Sequence, residues 1–290
     1  MAAGAYISKQ KKLRRQQEKC AWQTGNGSES ERNTQIMRIV VKVGTSTLAY
    51  PTGCLDIRHV EILVKTLSDL QNAGNQIVLV SSGAIGMGVG RLGLKSRPED
   101  MPTKQAAASV GQCELMYIYD KLFGEYNHAV GQILLTGEDF SHANRKENFE
   151  NTIHRLIELG VIPIVNENDT IATDEISVGE NDTLAAMVAC SVDADLLVLL
   201  SDIDGLYTKD PHKCPDARLI PFVKEITDEI RQLADGKGSE LGTGGMATKI
   251  NAAQIVMEHG VDMVIANGAR PRKLYNIVEG EMVGTRFLGR

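Results

Sequence analysis

From Ile36 to the C-terminus, short β-branched runs that are apolar on both faces alternate with stretches of helical spacing, and this alternation constrains the fold more tightly than any other feature. The runs are Ile36 to Val43, Gln76 to Ser81, Val130 to Thr136, Val161 to Val165, Asp195 to Leu200 and Met263 to Ala266. A strand with one wet face alternates apolar and polar residues, whereas a strand apolar throughout must be covered on both sides. That pattern belongs to a mostly parallel sheet between two layers of helices. The intervening stretch Asp56 to Ala73 carries Val60, Leu63, Val64, Leu67 and Leu70 on one stripe, and Gly74 is placed to end it. No Pro-rich or Gly/Ser-rich linker and no internal repeat divides residues 37–290. The expectation is one α/β domain, a three-layer α/β/α sandwich with a mostly parallel central sheet, whose site lies along the edge where strands end.

Residues 1–36 differ in character. Seven basic residues against three acids give this segment +4, which leaves −10 for the remainder of a chain whose net charge is −6. With little apolar periodicity, the segment reads as a basic, flexible extension; a mitochondrial presequence and a contact with another chain are the alternatives. The overall negative charge argues against general affinity for nucleic acid, and no apolar run approaches the ~18 residues of a membrane span. Five cysteines, none closer than 24 residues to the next, fit reduced thiols and a cytoplasmic location. Six scattered histidines form no HExxH pair, so no dedicated metal site is expected.

Gly88, Gly90 and Gly93 match GxGxxG, but the preceding strand run ends at Ser81, too early for a dinucleotide-binding turn. No GxxxxGK[ST] occurs either. Three other glycine turns stand at strand-to-helix or loop-to-helix junctions: Val43-Gly44-Thr45-Ser46 beside Lys42, Ser81-Ser82-Gly83-Ala84-Ile85-Gly86, and Leu241 to Lys249. Helix N-termini present backbone N–H groups to anions. Any one turn could be an ordinary connection; three on one sheet, two with a lysine, point to phosphate.

These turns, with Val165-Asn-Glu-Asn-Asp169, Val178-Gly-Glu-Asn181-Asp182 and Ser201-Asp202-Ile-Asp-Gly-Leu-Tyr207, resemble the amino acid kinase family over about residues 37 to 287. Within it they are most similar to the branch that phosphorylates the γ-carboxylate of L-glutamate with ATP, the first step of proline synthesis. The resemblance implies the amino acid kinase fold, ATP as co-substrate, Mg²⁺ bound with ATP, feedback inhibition by proline and a homo-oligomer. It also implies roles. Lys42 and Lys249 neutralise the phosphates, and Asp182 holds the two lysines. Ser82, Gly83, Ala84, Asp169 and Asn181 bind the amino acid. Lys42, Gly44, Ser201, Asp202 and the stretch Thr243, Gly244, Gly245, Met246, Ala247, Thr248 and Lys249 bind ATP.

The chemistry agrees: a carboxylate nucleophile with a pKa near ~4.3 is already ionised and needs no catalytic base. The difficulty is charge, since an anion must approach a polyanion. A carboxylate at Asp169 suits the substrate's α-ammonium. Plainer roles exist for each residue: solvated surface lysines, a helix cap at Asp182, a turn at Asp202. Many bacterial members continue into a C-terminal PUA domain; this chain, stopping at Arg290, is expected to lack it or to be a truncation of a longer or fused protein. Alternative functions are another acidic substrate, such as acetylglutamate or aspartate, and a non-catalytic sensor of the same fold.

Overall fold

The computed structural model describes residues 36–50, 54–172, 181–211, 213–234 and 245–289. In chain order the described elements are β1 (Arg38–Val43), α1 (Thr45–Leu48), α2 (Ile57–Asn72), β2 (Gln76–Val80), α3 (Ala84–Leu92), α4 (Met101–Gly124), β3 (Val130–Leu135), α5 (Gly137–Ser141), α6 (Ala143–Glu158), β4 (Ile162–Glu167), α7 (Asp182–Ser191), β5 (Leu196–Ser201), β6 (Phe222–Val223), α8 (Asp228–Ala234), α9 (Met246–Glu258), β7 (Asp262–Asn267), α10 (Lys273–Val278) and β8 (Thr285–Phe287).

The strands form one eight-stranded sheet in the order β3-β4-β2-β1-β5-β7-β8-β6. Every pairing is parallel except β7 with β8. Successive side chains of a strand point to opposite faces, and in β1, β2, β4 and β5 both faces are dry, the edge strand β3 being half-buried. Val40, Val78, Leu197 and Leu199 pack with α6, α7 and α9, while Ile39, Val41, Leu79 and Val198 pack with α2, α4 and α10. The sheet is thus sandwiched between helices, as the doubly apolar runs require. The six sequence runs correspond to β1 to β5 and β7. β6 and β8, of two and three residues, carry too little pattern to be read.

Local chemistry sets the helix ends. Asp56 caps α2 by accepting the His59 N–H at 3.0 Å, and Gly74, at φ +97°, turns the chain into β2. Of the GxGxxG glycines, Gly88 and Gly90 lie inside α3 and Gly93, at φ +65°, ends it; Gly88 serves packing. A Cβ on Gly88 would sit 1.8 Å from the Ala107 carbonyl oxygen, and one on Gly111 1.8 Å from that of Ala84. α3 and α4 therefore cross with their backbones in contact. Among the described residues no helix is long and apolar enough to cross a membrane.

Candidate active site

The C-terminal ends of β1, β2, β4 and β5 lie side by side at one sheet edge. Lys42, next to last in β1, falls on the face of Val40, toward α7 and α9, and is 5% exposed. Asp182 is the first residue of α7 and is wholly buried. Its Oδ1 lies 2.7 Å from Lys42 Nζ, and its Oδ2 accepts from Lys249 Nζ at 3.1 Å. Lys249 stands in the first turn of α9 and is 6% exposed. Thr248 Oγ1 also donates to Asp182 Oδ2, at 3.1 Å. Two ammonium groups thus share one carboxylate at the sheet edge, where little water reaches them. Buried charges need partners, and paired ammonium groups at such an edge suit an anion. A Cβ on Gly44 would come 3.8 Å from Lys42 Nζ, so the glycine keeps that side of the ammonium uncovered.

A chain of amides lies beside this hub. Asn181 occupies the N-cap position of α7, yet its side chain makes no capping bond. Its Nδ2 donates to the Ser81 carbonyl at 2.6 Å and to Asn166 Oδ1 at 2.8 Å, with Ser82 Oγ at 3.3 Å. Asn166 Oδ1 also accepts the Glu167 N–H at 2.9 Å, and Asn166 Nδ2 donates to Gln112 Oε1 at 2.8 Å. Ser81 Oγ meets the Tyr119 hydroxyl at 2.9 Å. Complete burial pushes the Tyr119 phenol well above its ordinary range, the bond to Ser81 pulling the other way. The ends of β2 and β4, the start of α7 and the middle of α4 are tied together by these bonds.

Asp169 lines a small recess together with Ala84, Ala108, Gln112, Leu134 and Glu167. Gly83, at φ +94°, makes the left-handed turn that leads from Ser82 into α3. Its position leaves only 3.6 Å between a would-be Cβ and Thr45, bringing the first two glycine turns together.

Of the residues singled out in the sequence, Lys42, Asp182, Thr248 and Lys249 meet at one carboxylate, and Ser82 and Asn181 meet beside it. Asp182 is the first residue of α7, with Asn181 standing at the cap position. Ser201, at the end of β5, donates to the exposed Asp202 at 3.1 Å, and among the described residues neither is hydrogen-bonded to the hub. Gly245 precedes α9, and Met246 and Ala247 form its half-buried first turn. Thr243 and Gly244 lie outside the described residues. The sequence reading singles out neither Asn166 nor Gln112. The available signal for Gln112 was an amide interrupting the otherwise apolar stripe of Ala108, Gly111, Leu115 and Tyr119. Among the described residues no group of three or more His, Cys, Asp or Glu side chains could hold a metal ion.

Residues 37–267 match the family model described as the amino acid kinase family. The chain is 52% identical over 255 residues to the glutamate 5-kinase of Clostridium acetobutylicum, covering 88% of this chain and 96% of that protein. It is 54% identical over 252 residues to the glutamate 5-kinase of Clostridium tetani, covering 87% and 94%. Among solved structures it resembles carbamate kinase from Giardia lamblia bound to AMP-PNP, with a TM-score of 0.63, 18% identity, and coverage of 89% of this chain and 100% of that one. It also resembles UMP kinase from Ureaplasma parvum, with a TM-score of 0.61, 15% identity, and coverage of 88% and 99%. At such identities the structural likeness speaks to fold alone.

Proposed function

The chain belongs to the amino acid kinase family, and from that premise we infer that it catalyses the glutamate 5-kinase reaction, transfer of a phosphoryl group from ATP to the γ-carboxylate of L-glutamate. The geometric observation that carries a phosphotransferase reading is the convergence of Lys42 and Lys249 on the buried Asp182 carboxylate. The choice of glutamate rests on relatives that share about half their residues with this chain along nearly its whole length.

The γ-carboxylate attacks the terminal phosphorus of ATP as the bond to the bridging oxygen breaks, giving γ-glutamyl phosphate and ADP. Lys42 and Lys249 offset the negative charge spread over the transferred group, and Asp182 holds both ammonium groups in place without rearrangement. Asn181 and Ser82 support the glutamate beside them, and Asp169 takes its α-ammonium. Ser201, Asp202 and residues 243–249 serve the nucleotide. Mg²⁺ is proposed to arrive on the phosphates; the described side chains form no cage for it, and no step above runs through it.

Residues 1–36 are proposed as an extension to a kinase domain spanning 37–290. Proline, which shares the α-carboxylate and an ammonium with glutamate, is proposed to compete for the same site. A homo-oligomer is part of the proposal, supported by large apolar side chains left exposed, such as Tyr117 and Leu92. So is a cytoplasmic location, supported by Cys113, Cys190 and Cys214, which form no disulfide among the described residues.

The test is a trapping assay in which hydroxylamine converts the acyl phosphate to a hydroxamate. Hydroxamate dependent on ATP, Mg²⁺ and L-glutamate is expected, with a smaller yield from N-acetylglutamate and aspartate, and with glutamate saturation shifted by proline. A greater yield from N-acetylglutamate than from glutamate overturns the reading.

A further inference from the structure

Gln112 sits in the middle of α4, is 8% exposed and lines the recess that also holds Asp169 and Glu167. Its Oε1 accepts from Asn166, but its Nε2 is buried without a hydrogen-bond partner among the described residues. The orientation of this amide is dictated by the main chain. The Ser81 carbonyl requires an N–H from Asn181, and the Glu167 N–H requires an oxygen from Asn166. Asn166 must therefore turn its nitrogen toward Gln112, which must answer with its oxygen. The recess is thereby given an amide N–H donor beside the Glu167 and Asp169 carboxylates, the Asn168 amide and the Thr170 hydroxyl. A buried donor left unpaired is costly, and an acceptor on a ligand removes that cost.

We infer that Gln112 determines substrate specificity, its Nε2 donating to the α-carboxylate of the amino acid while Asp169 takes the adjacent ammonium. The inference rests on the glutamate reading above and extends it to the α-carbon end of the substrate. Among the described residues no lysine or arginine lines the recess, so a carboxylate entering it is met there by neutral donors. Glu167 and Asp169 would repel it were the ammonium not bound to the same carbon. Donor and acceptors side by side suit a free α-amino acid head.

The test compares L-glutamate with L-isoglutamine, whose α-carboxylate is an amide and whose γ-carboxylate is intact, in wild type, Gln112→Glu and Gln112→Met. Gln112→Glu preserves an oxygen for Asn166 and places a second oxygen where Nε2 stood. For glutamate, kcat/KM is expected to fall roughly 100-fold or more, chiefly through KM, while KM for ATP stays within about twofold. Isoglutamine can donate to the new oxygen, so its kcat/KM holds or rises and the preference for glutamate collapses. Gln112→Met loses roughly 10- to 100-fold on glutamate and far less on isoglutamine. Equal losses on both substrates in Gln112→Glu overturn the inference, as does an unchanged glutamate KM. Should thermal melting show that Gln112→Glu does not fold, Gln112→Met decides by the same comparison. Absence of hydroxamate from the wild type with glutamate sinks the functional reading and this inference with it; wild-type turnover with equal losses in the variants sinks this inference alone.

Discussion

Two ammonium groups held by one carboxylate make the stability and the catalytic roles of the hub separable residue by residue. Asp182 lies against both ammonium groups. Removing a lysine leaves the carboxylate its other lysine, whereas removing the carboxylate takes a partner from two like charges buried at 5% and 6% exposure. Asp182→Asn is therefore expected to lower unfolding stability by about 3 kcal/mol or more. Lys42→Met and Lys249→Met should unfold at a denaturant concentration equal to or above that of the wild type. Both lysine variants nevertheless lose ~10²- to 10³-fold in kcat, since each removes charge aimed at the transferred phosphoryl group. Urea unfolding beside steady-state kinetics checks the split, and lysine variants that unfold as early as Asp182→Asn would contradict it. The three hub residues were legible because each lies in a block that resembles the family. Asn166 lies in such a block but had no role assigned, and Gln112 lies in none, because a buried amide chain is defined by partners, and Gln112 meets Asn166 across 54 positions of sequence.

At the scale of elements, the doubly apolar runs fixed six strands and left the two shortest unread, since two or three residues cannot display a period. The α2 stripe was equally legible: Val60, Leu63, Val64, Leu67 and Leu70 are all buried. What composition could not convey is the purpose of the glycines at 88 and 111, which is visible only once two helices are seen to cross. Gly111→Ala would press a methyl group to 1.8 Å from the Ala84 oxygen and 2.4 Å from the Gly88 nitrogen, both backbone atoms that cannot rotate away. α3, whose start follows Ser82 and Gly83, must shift in response. The variant is expected to lose about 3 kcal/mol of stability and to raise KM for glutamate more than KM for ATP. Gly124→Ala, at the end of α4 with nothing within 4 Å of the added carbon, is the control and should change stability by less than about 1 kcal/mol. Calorimetry of both variants distinguishes a packing glycine from a dispensable one.

For the whole molecule, the sheet explains why residues far apart in sequence act together. The parallel order β4-β2-β1-β5 aligns four strand ends, so Lys42, Ser82, Asp169 and Ser201 reach one edge without any long excursion of the chain. The helices α7 and α9 then return over the same face and deliver Asp182 and Lys249 from above it. Every side chain in the hub, the amide chain and the recess comes from between residues 42 and 249, and every strand of the sheet from between 38 and 287. Residues 1–36 carry a charge of +4, opposite in sign to the −10 of the remainder. If they are an extension and no part of the catalytic unit, a chain beginning at Met37 should fold cooperatively and keep kcat and both KM values within about twofold of the full chain, as a domain with its own core does. Loss of turnover or of the cooperative melt on that truncation would assign the basic segment a part in the enzyme itself. A change confined to the salt dependence of KM for ATP would instead reflect its positive charge acting at long range on an anionic substrate.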